Sequence, residues 1–166
     1  MLAKPPSLTE YLGKKMSEIC TRSISTKVNE NQCAHFVSHV MEYDGFAITC
    51  KNQSTADKLL PGKGAAIRVN EIFNVAETGA WSERPLHLTS CLIFVTISGN
   101  MSKNGQMLSG ESKHIGIYLD GVVWHYSSAG KVEKDSVTLF INKIEHSAAY
   151  IVAGQTADFF YGRFLE

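Results

Sequence analysis

Residues 114–126 read HIGIYLDGVVWHY and carry the strongest short-range fold signal in the chain. Apolar and β-branched residues on both sides of Asp120-Gly121 predict two strands joined by a tight turn. Asp-Gly is a preferred two-residue connection between antiparallel strands, because both turn positions need a positive φ. We therefore expect a β-hairpin in which Leu119 pairs with Val122.

The predicted hairpin brings two histidines together. If Leu119 pairs with Val122, His125 lies opposite Gly116 and diagonal to His114. Diagonal neighbours on the same face of paired strands can touch, and this geometry suits a catalytic base held by a second imidazole. Spacing alone is equally compatible with His125 as a cross-strand structural residue.

Helical patterns precede the hairpin, and further strands surround it. Helical spacing or helix boundaries mark four segments, namely 8–20, 33–43, 54–60 and 69–77. Besides the hairpin, strand-like runs cover 92–97, 137–141 and 150–153. Helices followed by strands indicate an α+β domain with N-terminal helices packed on an antiparallel β-sheet.

Length and composition fit a single domain over residues 1–166. Of the 166 residues 44% are apolar and 19% are charged, which is enough material for a core and too little charge for a disordered chain. The sixteen basic and sixteen acidic residues cancel, and no basic cluster exceeds Lys14-Lys15. Nucleic acid is therefore not an expected partner.

No segment has the apolar length of a membrane span or of a signal-peptide core. The first residues include Pro5 and Pro6 and no long apolar run. We expect synthesis in the cytoplasm without a cleavable signal peptide and without a membrane span. Export would then need a non-classical or contact-dependent route.

The four cysteines lack CxxC spacing, which argues against a zinc ribbon or a dense disulfide scaffold. Cys20, Cys50 and Cys91 are expected to be buried, reduced thiols. Cys33 differs because it opens a helix, where unpaired N–H groups and the macrodipole favour a thiolate. The same N–H groups could bind the oxyanion of a tetrahedral intermediate.

Four other histidines are weaker candidates than His114 and His125. His35 lies about 200° around the helix from Cys33 and is expected to point away from it. His35 and His39, at i and i+4, could bind a metal, but no third ligand lies at a suitable spacing, so a solvated or partly packed face is preferred. His87 and His146 are expected at the surface.

Two separate motifs resemble the NlpC-type cell-wall cysteine peptidases: CAHFV at 33–37, and HIGIY at 114–118 followed by Trp124-His125. The sequence Asn31-Gln32-Cys33 is similar to the related CHAP amidases, whose nucleophile often follows Gln. Both groups are peptidoglycan hydrolases of one papain-like superfamily. A Tyr that NlpC-type enzymes carry upstream of the nucleophile has no counterpart at that spacing here.

The resemblance implies a papain-like fold and acyl transfer through a thiolate. Cys33 would attack an amide carbonyl, His114 would protonate the leaving amine and then activate water, and His125 would fix the His114 tautomer. Gln32 and Asn31 are the candidate oxyanion donors. The implied chemistry needs no metal and no organic cofactor.

The implied substrate is an amide bond in a peptidoglycan stem peptide, cut through a thioester acyl-enzyme. Such an enzyme could be an exported antibacterial effector with a cognate inhibitor or immunity protein, or a lysis enzyme. Two alternatives stay open, because a fold does not settle a substrate. One is a cytoplasmic thiol hydrolase or acyltransferase acting on a protein or lipid, and the other is a non-catalytic binding module.

Overall fold

The computed structural model describes residues 1–27, 31–52 and 64–166. Within them the protein has an α+β architecture with a six-stranded antiparallel sheet, as expected. The three α-helices are α1 (Cys33–Met41), α2 (Val69–Val75) and α3 (Val137–Glu145). The strands are β1 (Thr78–Ala80), β2 (Ser90–Ile97), β3 (Lys113–Leu119), β4 (Val122–Tyr126), β5 (Val132–Ser136) and β6 (Ala157–Gly162).

The strand order in the sheet is β1-β6-β2-β3-β4-β5. The predicted hairpin is confirmed, since β3 and β4 pair with Leu119 opposite Val122. Asp120 has a φ of 45° and Gly121 a φ of 92°. Both turn residues thus adopt the left-handed backbone that an Asp-Gly turn favours.

Helices cover both faces of the sheet. On one face, α1 and α2 pack against alternate residues of the central strands, including Ile115 and Ile117. On the other face, α3 supplies Phe140 to a smaller cluster that contains Tyr118 and Val123. Because neighbouring residues of a strand point to opposite faces, His114 and Ile115 belong to different layers.

Helix α1 begins at Cys33, as predicted, and ends where Glu42 takes a left-handed conformation with a φ of 57°. Eight of its nine residues are buried. A helix buried on nearly all sides must be covered all round, and here the sheet lies on one side and the N-terminal segment on another. This placement holds Cys33 inside the core.

The helix predicted over 8–20 is wrong. The segment forms two short 3-10 turns, Thr9–Tyr11 and Met16–Glu18. Between them, the Gly13 N–H donates to the Val132 carbonyl at 2.9 Å, and the Val132 N–H donates to the Lys14 carbonyl at 2.9 Å. Backbone groups committed to the edge of β5 cannot also form a helix, so this tertiary pairing overrides the local helical spacing.

The strand predicted over 137–141 is also wrong, because these residues open α3. The Ser136 side chain caps the helix by accepting from the Leu139 N–H at 3.1 Å. Helical spacing continues beyond the predicted segment, from Phe140 to Ile144, and both side chains pack on the sheet.

Three further expectations have different outcomes. Residues 150–153 do not form a strand, and the strand in that region is β6. The helix predicted over 69–77 is confirmed as α2. The helix predicted over 54–60 lies outside the described residues.

None of the described helices has the length and hydropathy needed to cross a bilayer.

Candidate active site

His114 and His125 are hydrogen-bonded to each other across the hairpin. The Nε2 atom of His114 lies 2.9 Å from Nδ1 of His125, and the two rings are nearly perpendicular, at 88°. Both side chains are buried and pack against Phe140 of α3. The contact that the hairpin register predicted is therefore present.

Asp135, on β5, extends this pair. Its Oδ2 atom lies 2.9 Å from Nε2 of His125, and its Oδ1 atom lies 3.0 Å from the Lys143 ammonium of α3. Sequence reasoning missed Asp135 because the polar segment VEKDS was not recognised as a strand. Once β5 is known to pair with β4, the register places Asp135 opposite Val123 and on the face of His125.

The hydrogen bonds fix the tautomers of both imidazoles. An ionised carboxylate can only accept, so His125 donates from Nε2 to Asp135. The Nδ1 atom of His125 must then accept from Nε2–H of His114. The lone pair of His114 is consequently left on its Nδ1 atom.

Both histidines are held neutral. Burial, with a smaller contribution from the nearby His125, lowers the pKa of His114 to about 3. Burial also lowers the pKa of His125, although the hydrogen bond and charge of Asp135 oppose that effect. A neutral imidazole with a free lone pair has the protonation state of a general base.

Gly116 makes room for the pair. A Cβ atom added there would lie 2.7 Å from Cγ1 of Val123, 3.1 Å from the Trp124 carbonyl oxygen and 3.3 Å from Cβ of His125. The missing side chain therefore lets His125 sit beside β3, within reach of His114. This gives the glycine of the HIGIY motif a packing role.

Cys33 lies against the beginning of β3. Its thiol is almost completely buried, and burial raises its pKa to about 11. Backbone hydrogen bonds from Ile115 and Ala34 and the positive charge of Lys113 act in the opposite direction. At neutral pH the thiol is therefore protonated.

Asn31 ties the first turn of α1 to β3. Its Oδ1 atom accepts from the Cys33 N–H at 3.1 Å, and its Nδ2 group donates to the Lys113 carbonyl at 3.0 Å. The Asn31 side chain beside Cys33 also lowers the pKa of its thiol slightly. Asn31, a candidate oxyanion donor from the sequence, thus lies beside Cys33 and contacts Lys113, the residue before His114.

No hydrogen bond joins Cys33 to His114 in the described part of the chain. The thiol contacts β3 through the Ile115 N–H, whereas the His114 ring lies on the α3 side of the strand. The structure brings His114, His125 and Asp135 into one hydrogen-bonded network. Cys33 lies against the backbone of β3 at Ile115. The pairing of thiol and base stays a prediction.

Gln32 is engaged away from the thiol. Its Nε2 group donates to the carbonyls of Ile24 at 2.7 Å and Lys27 at 3.4 Å, and its Oε1 atom lies 2.8 Å from Nδ1 of His35. Both amide hydrogens have acceptors, so Gln32 has no free donor for an oxyanion.

A cavity of about 940 Å³ opens beside the histidine network and is bordered by Asn31, His114, His125 and Tyr150. Tyr150 is buried and was not predicted as a site residue. Burial raises its pKa, and a negative charge on Cys33 would raise it further, so its hydroxyl stays protonated. The cavity therefore has a neutral base and two polar donors along its wall.

The remaining histidines divide into two groups. His87 and His146 are exposed, as expected. His35, expected on a solvated or partly packed face, is instead completely buried, and His39 beside it is half-buried. The α1 face that carries them is covered by the N-terminal segment and the loop that follows α1, and both contribute a cysteine to it.

Comparison with known proteins gives no relative: no protein-family model, no curated protein and no solved structure matches the chain.

Proposed function

We propose that the protein is a cysteine-dependent amide hydrolase of papain-like type, in which Cys33 is the nucleophile and His114 the general base. His125 and Asp135 are positioning residues that hold the base in one tautomer. The observation that carries the proposal is the chain of hydrogen bonds from Asp135 through His125 to His114. A buried carboxylate that orients a neutral imidazole is the arrangement that nucleophilic hydrolases use.

The protonation states define the first step. Because the thiol pKa is about 11 and the His114 pKa about 3, the resting pair is a neutral thiol and a neutral imidazole. As sulfur attacks the amide carbonyl, the thiol proton moves to Nδ1 of His114. The imidazolium that forms is stabilised through His125 by the negative charge of Asp135.

The remaining steps return both groups to their starting states. The imidazolium gives its proton to the leaving amine, the C–N bond breaks, and the acyl group stays on Cys33 as a thioester. Water then attacks the thioester while His114 accepts one of its protons. Transfer of that proton to sulfur releases the carboxylic acid and restores the thiol.

This mechanism needs Cys33 Sγ and His114 Nδ1 within hydrogen-bond reach in the substrate complex. Catalytic hydrogen bonds are often long in a free enzyme and tighten when substrate binds. Asn31 fixes the first turn of α1 to the start of β3, and in the free protein the His114 ring lies on the α3 side of that strand, so substrate binding would have to bring the two side chains together.

Asn31 and Tyr150 are the proposed oxyanion donors. The Cys33 N–H, which the sequence pattern favoured, already donates to Asn31 in the free protein. Tyr150 borders the cavity, and a negative charge on the Cys33 sulfur would raise the pKa of its hydroxyl. Tyr150 would thus supply the phenol that NlpC-type enzymes carry upstream of their nucleophile.

The proposed substrate is an amide bond in a peptidoglycan stem peptide. Its support is the resemblance of CAHFV and HIGIY to NlpC-type and CHAP enzymes, together with a cavity large enough for a short peptide. In an exported effector or lysis enzyme, the expected protein partner is a cognate inhibitor. The runner-up is a thiol hydrolase or acyltransferase acting on a protein or lipid.

The test is digestion of purified peptidoglycan sacculi, with new amine ends detected by mass spectrometry. Wild-type protein should release them, and Cys33→Ala should not. Cys91→Ala is the matched control and should behave as wild type, because Cys91 lies in the smaller core cluster around Phe140. Intact sacculi with wild-type protein, or activity retained by Cys33→Ala, would overturn the proposal. Labelling of Cys33 by an activity-based probe while sacculi stay intact would favour the runner-up.

A further inference from the structure

Four side chains outside the proposed active site converge on the buried face of α1. They are Cys20, His35, His39 and Cys50, and one ligand atom from each lies within 4.8 Å of the others. The two histidines are one turn apart on α1, Cys20 follows the Met16–Glu18 turn, and Cys50 lies in the loop after α1. Two thiols and two imidazoles form a complete ligand set for a tetrahedral metal ion.

The spacing of the donor atoms suits such an ion. With Zn–S bonds of about 2.3 Å and Zn–N bonds of about 2.1 Å, the edges of a tetrahedral site are roughly 3.3–3.8 Å long. Cys50 Sγ lies 3.8 Å from His39 Nε2, and the two imidazole centroids are 4.9 Å apart. Because no two of the four atoms are more than 4.8 Å apart, a contraction of at most about 1.5 Å would bring all of them to coordination distance.

His35 provides independent evidence for a ligand. The residue is completely buried, and its Nε2 atom has no hydrogen-bond partner among the described residues. One of its ring nitrogens lies within 4.8 Å of the ligand atoms of Cys20, His39 and Cys50, so the ring faces the cluster. A buried nitrogen without a partner is rare in folded proteins, because its desolvation is not compensated.

Gln32 leaves the lone pair of His35 free for that ligand. The Gln32 amide nitrogen donates to the Ile24 carbonyl at 2.7 Å, so its oxygen is the atom that faces His35. The Nδ1 atom of His35 must then be the protonated one, which leaves the lone pair on Nε2. Metal-binding histidines are commonly oriented by a hydrogen bond of this kind on the other ring nitrogen.

Each of the two sulfurs faces a backbone N–H group. The Arg22 N–H lies 3.4 Å from Cys20 Sγ, and a backbone hydrogen bond from Ala65 reaches Cys50. Such donors stabilise the negative charge that a coordinating thiolate carries.

We propose that Cys20, His35, His39 and Cys50 bind one structural Zn²⁺ ion in a closed, tetrahedral Cys₂His₂ site. Thiolate and imidazole ligands in tetrahedral geometry favour zinc over magnesium, calcium or manganese, which prefer oxygen ligands. The ion would join the N-terminal segment and the loop after α1 to the helix that carries Cys33. Because Cys33 is not a ligand, the zinc site does not rest on the proposed hydrolase activity.

Metal content of the purified protein tests the site. Protein expressed in zinc-supplemented medium and purified under reducing conditions should contain about one zinc ion per chain by mass spectrometry of the metal. Cys50→Ser and His39→Gln should lose most of it, whereas Cys91→Ser should keep it, because Cys91 lies outside the cluster. Gln32→Leu should retain the site with affinity lowered about 10- to 100-fold.

A second measurement uses only the wild-type chain, because ligand variants could fail to fold. Cobalt added to the metal-free protein should produce the visible bands of tetrahedral Co²⁺ and a thiolate charge-transfer band, and zinc should displace both. Reduced, folded protein that binds neither metal would overturn the proposal. A Cys20–Cys50 disulfide in freshly purified protein, seen as a mass two hydrogens lower, would also overturn it.

Discussion

The Nε2 atom of His114 lies 2.9 Å from the Nδ1 atom of His125, and this contact decides which nitrogen of His114 can accept a proton. Because Asp135 accepts from the far side of His125, the hydrogen-bond direction runs from His114 towards the carboxylate. The free lone pair on Nδ1 is thus set by a residue on a third strand.

Asp135→Asn should lower hydrolase activity on the order of 10²- to 10⁴-fold. An amide can present its NH₂ group to His125, which reverses the hydrogen bonds and protonates Nδ1 of His114. The measurement is kcat on sacculi or on a model stem peptide, with circular dichroism to confirm folding. Asp158→Asn, which removes a carboxylate on β6, should have little effect, and equal losses in both variants would contradict the positioning role.

Cys33 should react with iodoacetamide slowly at neutral pH and faster as the pH rises. Because the thiol pKa is about 11, the thiolate fraction should grow about tenfold per pH unit over roughly pH 7 to 10. Peptide mass spectrometry after timed labelling gives the rate at Cys33 separately from the other cysteines. A rate that is already maximal near neutral pH would indicate a preformed thiolate–imidazolium pair instead.

Acid should destabilise the fold partly through His114. Its pKa is lowered from 6.5 to about 3, so between these values the unfolded chain binds a proton that the folded chain does not. Stability should therefore fall as the pH decreases from 6.5 towards 3, by up to about 1.4 kcal/mol per pH unit for this group. Urea unfolding at several pH values measures the slope.

His114→Gln should reduce that slope by the contribution of one proton, although the variant is also expected to be less stable overall. His87→Gln, at an exposed position, is the matched control and should keep the wild-type slope. Identical slopes for wild type and His114→Gln would show that His114 is protonated in the folded state.

Gly116→Ala should destabilise the fold by about 1–3 kcal/mol and reduce activity, because the added Cβ would overlap Val123 and press on His125. Gly121→Ala provides the comparison, since its Cβ would meet no atom within 4 Å and only its φ of 92° opposes the change. Thermal unfolding and peptide hydrolysis should show that Gly121→Ala loses stability but keeps wild-type activity. Normal activity in folded Gly116→Ala would contradict the proposed packing role.

Tyr150→Phe should lower kcat on the order of 10²-fold with little change in KM, if its hydroxyl stabilises the oxyanion. The ring is retained, so packing should be preserved, and a thermal unfolding midpoint near that of wild type would confirm this. Tyr161→Phe, a phenol on β6 outside the cavity, is the control. A Tyr150→Phe enzyme with full kcat would remove Tyr150 from the mechanism.

The hairpin and the His114–His125 contact could be predicted because short-range rules determine them. An Asp-Gly turn fixes the register, and the register fixes which side chains are diagonal neighbours. The beginning of α1 at Cys33 was predictable for a similar reason, since the apolar spacing starts there.

Asp135 and the cysteine–histidine cluster could not be predicted from local patterns. Asp135 reaches His125 only because the polar segment 132–136 pairs with β4. The cluster combines residues from three segments in the order Cys, His, His, Cys, which matches no common zinc spacing. Local spacing also misassigned 8–20, where backbone groups of Gly13 and Lys14 pair with β5.

The position of β6 has a consequence for synthesis. β6 follows the other five described strands along the chain, yet it lies between β1 and β2 and pairs with both. A nascent chain on the ribosome therefore exposes the apolar edge of β2 until residues 157–162 have emerged. During that interval β2 is open to pairing with other nascent chains, so synthesis of β6 sets the time at which this edge of β2 can be covered.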